Sequence, residues 1–407
     1  MKIIAQLFRV LLPTTLAVVL VVGLVNCSSK PALSPKDAET AAANKAWPEK
    51  MQLLSKTMSD LLPLVASRKK FSDPKNEKVI LERTETLRTL AHAVKTGPKP
   101  NADPSMQVVS GLMEEDIKRA LEGLRSGNRD YARHVLNDTT SYCIQCHTQT
   151  SNGPEFPKLT LDVKVQELAP MEQAEFYAAT RQFEPALETY RKVLASPESA
   201  KNDAYDYESA ARTALAISVR VHKSPQEAQT IIRTVQKNKS VPRPMQKIAS
   251  AWDRSVKTWS KEKPTKDATP AQDLATAERL VTGAQKTQEF PLDHSQDVTY
   301  FRASAILHDL LQQPSRTDDF SARALYLAGL SSEATRDMNF WTMHETMYEQ
   351  CIRLTPGTEQ AKQCYGRLSD SIKLGYSGSA GTNIPPEIKR RLDAYKQIAF
   401  ADQEEKK

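Results

Sequence analysis

From Trp47 to Ser67 the apolar residues Met51, Leu54, Met58, Leu61, Leu62 and Val65 fall three and four positions apart. That period puts them on one face of an α-helix, and comparable spacing recurs down most of the chain. Only 13 of the 407 residues are glycine, while Ala, Leu, Glu, Lys and Gln abound, so intrinsic propensity points the same way. The expected fold class is all-α, in a chain long enough for two or three domains. Asp73-Pro74 marks the start of a second helix that runs to Lys95 with Ile80, Leu87, Leu90 and Val94 inward, closed by Gly97-Pro98-Lys99-Pro100. A third begins at Pro104 behind Asp103, carries Val109, Met113, Ile117, Leu121 and Leu124, and stops at Gly127. The fourth starts at Asn128 and carries Tyr131 and Val135.

At the far end of this fourth helix stands Cys143-Ile144-Gln145-Cys146-His147, the C-x-x-C-H order of c-type haem attachment. Two thiols three residues apart on a helical turn add to the two haem vinyl groups, and the adjacent imidazole then lies under the iron. A thioredoxin-like dithiol would sit near a βαβ pattern, and a structural zinc site would need further Cys or His at ligand spacing. Neither context is present. The motif predicts one covalent haem on Cys143 and Cys146 with His147 as proximal iron ligand.

Lys2 and Arg9 precede an apolar run from Val10 to Val25 that ends in Leu24-Val25-Asn26-Cys27. This resembles a bacterial lipoprotein signal, which implies cleavage before Cys27 and lipidation of its thiol. Asn26 replaces the small residue usual at that position. An uncleaved anchor is the alternative, but the run, interrupted by Pro13 and two threonines, is shorter than the ~20 apolar residues that span a bilayer. Ser28 and Ser29, with no Asp, resemble the pattern of outer-membrane sorting. The expected location is the periplasmic side of a bacterial envelope, an oxidising compartment. The formal charge is +7, and two of the cations, Lys2 and Arg9, belong to the signal. Much of the remainder comes from scattered lysines such as Lys257, Lys261 and Lys263, and no concentrated basic stripe with interleaved aromatics appears, which argues against nucleic-acid binding.

Four helices with C-x-x-C-H near the end of the last resemble the class II cytochromes c, over roughly residues 45–150. Met51-Gln52-Leu53-Leu54 followed by Leu62-Pro63-Leu64-Val65 is similar to the family's first helix, in which the residue on the open face of the haem precedes a proline-containing end by about three turns. Met51 falls on that position. The resemblance therefore implies a His147/Met51 iron, with Met58, two turns on, as the rival. The family's basic residue beyond the haem His is replaced by Thr148-Gln149-Thr150, so propionate contacts differ. His92 is expected on a helix surface and His134 on the surface or near a propionate.

Beyond Val163, Glu175-Phe176-Tyr177-Ala178-Ala179 and Phe183-Glu184-Pro185-Ala186-Leu187-Glu188-Thr189-Tyr190 resemble a tetratricopeptide helix pair, as do Ala322–Ala328 and Pro356–Ala361. That resemblance implies an α-solenoid with a concave surface for a protein partner. The expected organisation is a signal over 1–26, a tether over 27–44, the four-helix bundle over 45–155, helical repeats over 160–262 and 272–400 with a hinge at 263–271, and a disordered tail over 401–407. Cys351 and Cys364 flank the turn at Pro356-Gly357-Thr358. Antiparallel helices bring such residues within bonding range, so a disulfide is expected, contributing up to about 3 kcal/mol by loop closure, with two buried free thiols as the alternative. The glycine cluster at 375–382 follows a helix and lacks the Lys-Ser/Thr of a P-loop. His294, His308 and His344 are too dispersed to suggest a metal site, and His294 with Asp297 reads as a helix start. No nucleophile–base pair stands out, so no enzyme is expected.

These features point to a membrane-tethered periplasmic monohaem cytochrome that transfers electrons and docks a redox partner or envelope complex through its helical repeats. A haem-based gas or redox sensor is the alternative, if the distal side is open, and a structural envelope lipoprotein is the second. Dimers are common among class II cytochromes, so a second copy of the chain is a further partner that the resemblance allows.

Overall fold

Proline and small polar caps start most of the helices in this computed structural model, which describes residues 46–96, 104–149, 163–262, 267–313, 317–338, 342–379 and 381–401. The signal, Cys27 and the tether lie outside the described residues, as does most of the tail. The elements are α1 (Trp47–Ala66), α2 (Arg68–Ser72), α3 (Pro74–Thr96), α4 (Pro104–Arg125) and α5 (Arg129–His147). Then come α6 (Val163–Gln166), α7 (Pro170–Ala179), α8 (Phe183–Ala195), α9 (Pro197–Asn202) and α10 (Ala204–Ala216). A π-helical turn over Ile217–Val221 extends α10, followed by α11 (Pro225–Lys237) and α12 (Arg243–Trp259). The chain continues with α13 (Pro270–Thr287), α14 (Asp297–Leu311), α15 (Asp318–Ala334), α16 (Met343–Leu354), α17 (Glu359–Gly375) and α18 (Pro386–Ala399). Among the described residues the only strands are β1 (Ser377–Gly378) and β2 (Gly381–Thr382), a two-residue antiparallel pair in the glycine cluster. The chain is all-helical in class. No helix among the described residues is long and apolar enough to cross a membrane.

Helices α1, α3, α4 and α5 pack in chain order, and α5 returns to α1. Most of the inward residues expected from spacing are buried, from Leu54 and Leu61 to Ile80, Leu90 and Ile117, but Met51 and Leu124 are half-buried and Tyr131 is 41% exposed. Its place in the first turn of α5 lets the ring lie out over Gly123. Two further features depart from the expected boundaries. The chain leaves α1 at Ser67, whose hydroxyl accepts from the Lys70 amide and starts the short α2. Within the expected hinge, Thr269 and Gln272 form a capping box that starts α13 at Pro270. Gly127, at φ 80°, makes the left-handed turn that closes α4.

The apolar core of α1–α5 is continuous with that of α13–α18, from Leu54 through Met347 to Ala399, and α16 packs directly on α4. A second core fills α6–α12 and reaches Leu62 of α1 and Phe301 of α14. Cys351 and Cys364 form a disulfide between α16 and α17, fully buried, with Cα atoms 6.3 Å apart. Where α15 meets α16, a Cβ on Gly329 would overlap the buried Tyr348 ring, 2.9 Å from Cδ1. A ring so enclosed has nowhere to go, so Gly329→Ala is expected to lower stability by about 1–3 kcal/mol. A urea midpoint unchanged from the parent would contradict that packing.

A buried charge network ties the middle of the chain to its end. Arg212 Nε donates to Asp297 at 2.7 Å, its two Nη atoms reach Asp337, and His294 Nε2 lies 3.1 Å from Asp337 while Nδ1 meets Glu208. His294 does begin a 3-10 turn, His294–Gln296, that leads into α14 at Asp297, as expected, and it is also part of this network. Asp293 caps that turn by accepting from the Ser295 amide, and Asp297 is engaged by Arg212. Burial disfavours the His294 imidazolium, but bonds to Asp337 and Glu208 outweigh it and lift its pKa from 6.5 to about 9. The raised value makes this contribution to stability full below pH 6.5 and lost as pH rises through 9. Thermal unfolding from pH 6 to 9.5 is expected to show that decline, and His294→Gln to flatten it.

Candidate functional site

The motif occupies the last turn of α5, which ends at Thr148 with its amide bonded to the Ile144 carbonyl. At 100° per residue, Thr139, Cys143 and Cys146 share one face of the helix, directed into the core that also holds Leu54, Met58 and Met113. Cys143 Sγ lies 3.9 Å from the Thr139 carbonyl, and burial pushes its thiol up to about 12.

His147 is held from outside α5. Its Nδ1 lies 2.6 Å from the carbonyl of Ala179, the last residue of α7, and its own carbonyl accepts from Arg181 Nη1 at 3.1 Å. Arg181 sits at φ 59° in the tight turn between α7 and α8, with its guanidinium over Phe183. Burial, with Arg181 nearby, pulls the imidazole pKa down to about 4, against the pull of the Ala179 carbonyl. The ring is therefore neutral at pH 7. A carbonyl can only accept, so Nδ1 carries the proton and Nε2 is the basic nitrogen. This is the tautomer a metal-bound histidine takes when its second nitrogen is tied to the backbone.

Helix α1 runs antiparallel to α5, and three contacts set the register. Arg133 donates to the Val65 and Ala66 carbonyls at 2.7 Å each, and the Thr139 hydroxyl lies 3.9 Å from Met58 Sδ. Two turns further, seven residues on in α5 and seven back in α1, the same register brings Met51 level with Cys146 and His147. Met51 is half-buried against the core that includes both cysteines. Met58 lies about two turns away, beside Thr139. Of the other expected positions, His92 is exposed and pairs with Glu114 at 2.6 Å, and His134 is exposed beside Asp138.

The donor set fits an iron porphyrin joined through two thioethers. It offers paired thiols on one helical face, a neutral imidazole with a fixed tautomer, an apolar surround and a thioether at the same level. Sequence spacing did not single out Ala179, Arg181 or Met343, whose sulfur lies 3.7 Å from Gln149 Nε2 just past the motif. Ala179 acts through its carbonyl, which any residue supplies, so its type carried no signal. Comparison with protein-family models, curated proteins and solved structures finds no match to this chain.

Proposed function

We propose that this chain is a monohaem c-type cytochrome, anchored to the envelope by lipid on Cys27, that passes single electrons to or from a docked protein. In this proposal α1, α3, α4 and α5 are a class II-like four-helix bundle, and the helix pairs from α7 onward are a tetratricopeptide-like scaffold. The observation that carries it is the His147 Nδ1 bond to the Ala179 carbonyl, which prepares Nε2 for iron beside two correctly spaced thiols.

When bound, the haem supplies a one-electron centre. Cys143 and Cys146 hold it covalently, so it is retained in either oxidation state. The Ala179 carbonyl orients the His147 ring and makes Nε2 a stronger donor. Met51 would be the residue whose thioether holds the iron together with His147, which would raise the potential, and the apolar residues of α1 and α4 would keep water from the group. Nothing in electron transfer requires an acid or base at the site, and the helical scaffold gives a partner a surface to meet.

A second proposal, a haem-based gas or redox sensor, draws on the same bond. Because the proximal His is tied to the α7–α8 turn, movement of the ring would be felt directly in the scaffold. One experiment separates the two. The chain from Ser28 is produced with a haem-attachment system, and oxidised, reduced and CO-treated spectra are recorded. Sharp low-spin bands indifferent to CO are expected for the electron carrier. A broad high-spin spectrum that shifts with CO would move the assignment to the sensor, and colourless protein would end both.

A further inference from the structure

On the side of α5 opposite the thiols, a cleft of about 840 Å³ opens between that helix, α7, α10 and the turn carrying His294. Its wall from α5 is the stripe His134, Asp138, Ser141, Gln145 and Thr148, three and four residues apart. Two of its features point to a ligand.

The first is Arg220. This side chain lines the cleft from the π-helical turn at the end of α10, yet the residue is only 4% exposed and its Nε is buried without a hydrogen-bond partner. Its guanidinium rests on the Phe301 ring, 4.4 Å from the centroid. Asp297 and Asp337 hydrogen-bond Arg212, and Asp297 acts on Arg220 only through its charge. A buried guanidinium with its Nε unbonded is costly, and π-helical turns are enriched at functional sites.

The second is a group of acids at the other end. Glu175 from α7, Asp206 from α10 and Asp138 from α5 face the same space, beside Glu172, which accepts from the Ala169 amide at the start of α7. His134 lies 3.6 Å from Asp138, and no lysine or arginine lines this end. Burial, then repulsion from Asp206, Glu172 and Asp138, lifts Glu175 to about 7.

We propose that the cleft binds a short peptide with unblocked ends, whose carboxylate pairs with Arg220 and whose ammonium lies between Glu175 and Asp206. A planar carboxylate matches the guanidinium fork. A doubly charged anion such as phosphate fits less well, since Asp297 and Asp337 stand close by. An ammonium group relieves the mutual repulsion of the acids. The site is separate from the proposed haem, being reached from the opposite face of α5.

The test is equilibrium dialysis of the full chain against three mixtures, each read by mass spectrometry: a random tripeptide library, the same library N-acetylated, and the same library C-amidated. Retention of free-ended members is expected, at least tenfold above either capped form. Arg220→Met, which keeps contact with Phe301, is expected to lower retention at least tenfold, and Glu175→Gln to lower it for free-amine ligands. If Arg220→Met does not fold, the capped libraries and Glu175→Gln decide the matter. Equal retention of capped and free peptides, no retention at millimolar ligand, or Arg220-dependent capture of inorganic phosphate in their place would overturn the proposal.

Discussion

In the proposed cytochrome, Met51→Leu is expected to turn a reduced protein that refuses CO into one that takes it up stoichiometrically, with the low-spin bands lost. Met58→Leu is expected to leave the spectrum as it was. Both exchanges nearly conserve volume, so each costs less than about 1.5 kcal/mol and the chain stays folded. The contrast rests on register. Met58 is fixed beside Thr139 by its sulfur contact, which leaves the level of Cys146 and His147 to Met51. If Met58→Leu opens the iron and Met51→Leu does not, the distal ligand has been misplaced by two turns of α1. Circular dichroism and a urea titration on each variant distinguish loss of a ligand from loss of the bundle.

A larger effect on stability is expected from Arg212→Met, about 3–5 kcal/mol read from the urea midpoint. The Arg212 and Asp297 side chains are 4% and 1% exposed, so removing the cation leaves Asp297 buried and unpaired. Adding Asp297→Asn should recover part of the loss, because the amide carries no charge to strand. By contrast, Arg68 and Asp130 are about three-quarters exposed, and disrupting that pair should change stability by less than about 1 kcal/mol. The network matters because it adds charged bonds to the apolar packing between α10 and α14 and ties in Asp337, just beyond the end of α15.

The parts of this molecule written in short-range chemistry were legible in the sequence. Asp73-Pro74, Pro104 and Gly127 mark real helix ends, since a proline in the first turn and a left-handed glycine act within a few residues. The Cys351–Cys364 pair followed from its separation across a turn. The C-x-x-C-H spacing alone named the candidate site. What escaped was long-range. His147 meets Ala179 across 32 positions and Arg212 meets Asp337 across 125, through one backbone carbonyl and ordinary surface-type residues with no periodicity to advertise them. Tyr131 was misjudged for a related reason. An aromatic on the expected face lies outward when it falls in the first turn, beyond the reach of the neighbouring helix.

The bond from His147 to Ala179 also sets a timetable. A chain made from its N-terminus presents the two cysteines and the imidazole some thirty residues before the carbonyl that later fixes the ring. Once α1 and α4 pack on α5, the Cys143 thiol lies against their apolar residues, and burial holds it protonated. Attachment of the proposed haem therefore belongs to the interval before these helices have packed. A protein refolded whole without its cofactor would be a poor substrate for attachment, and slowing the packing of α1 and α4 on α5 should raise the yield of coloured protein.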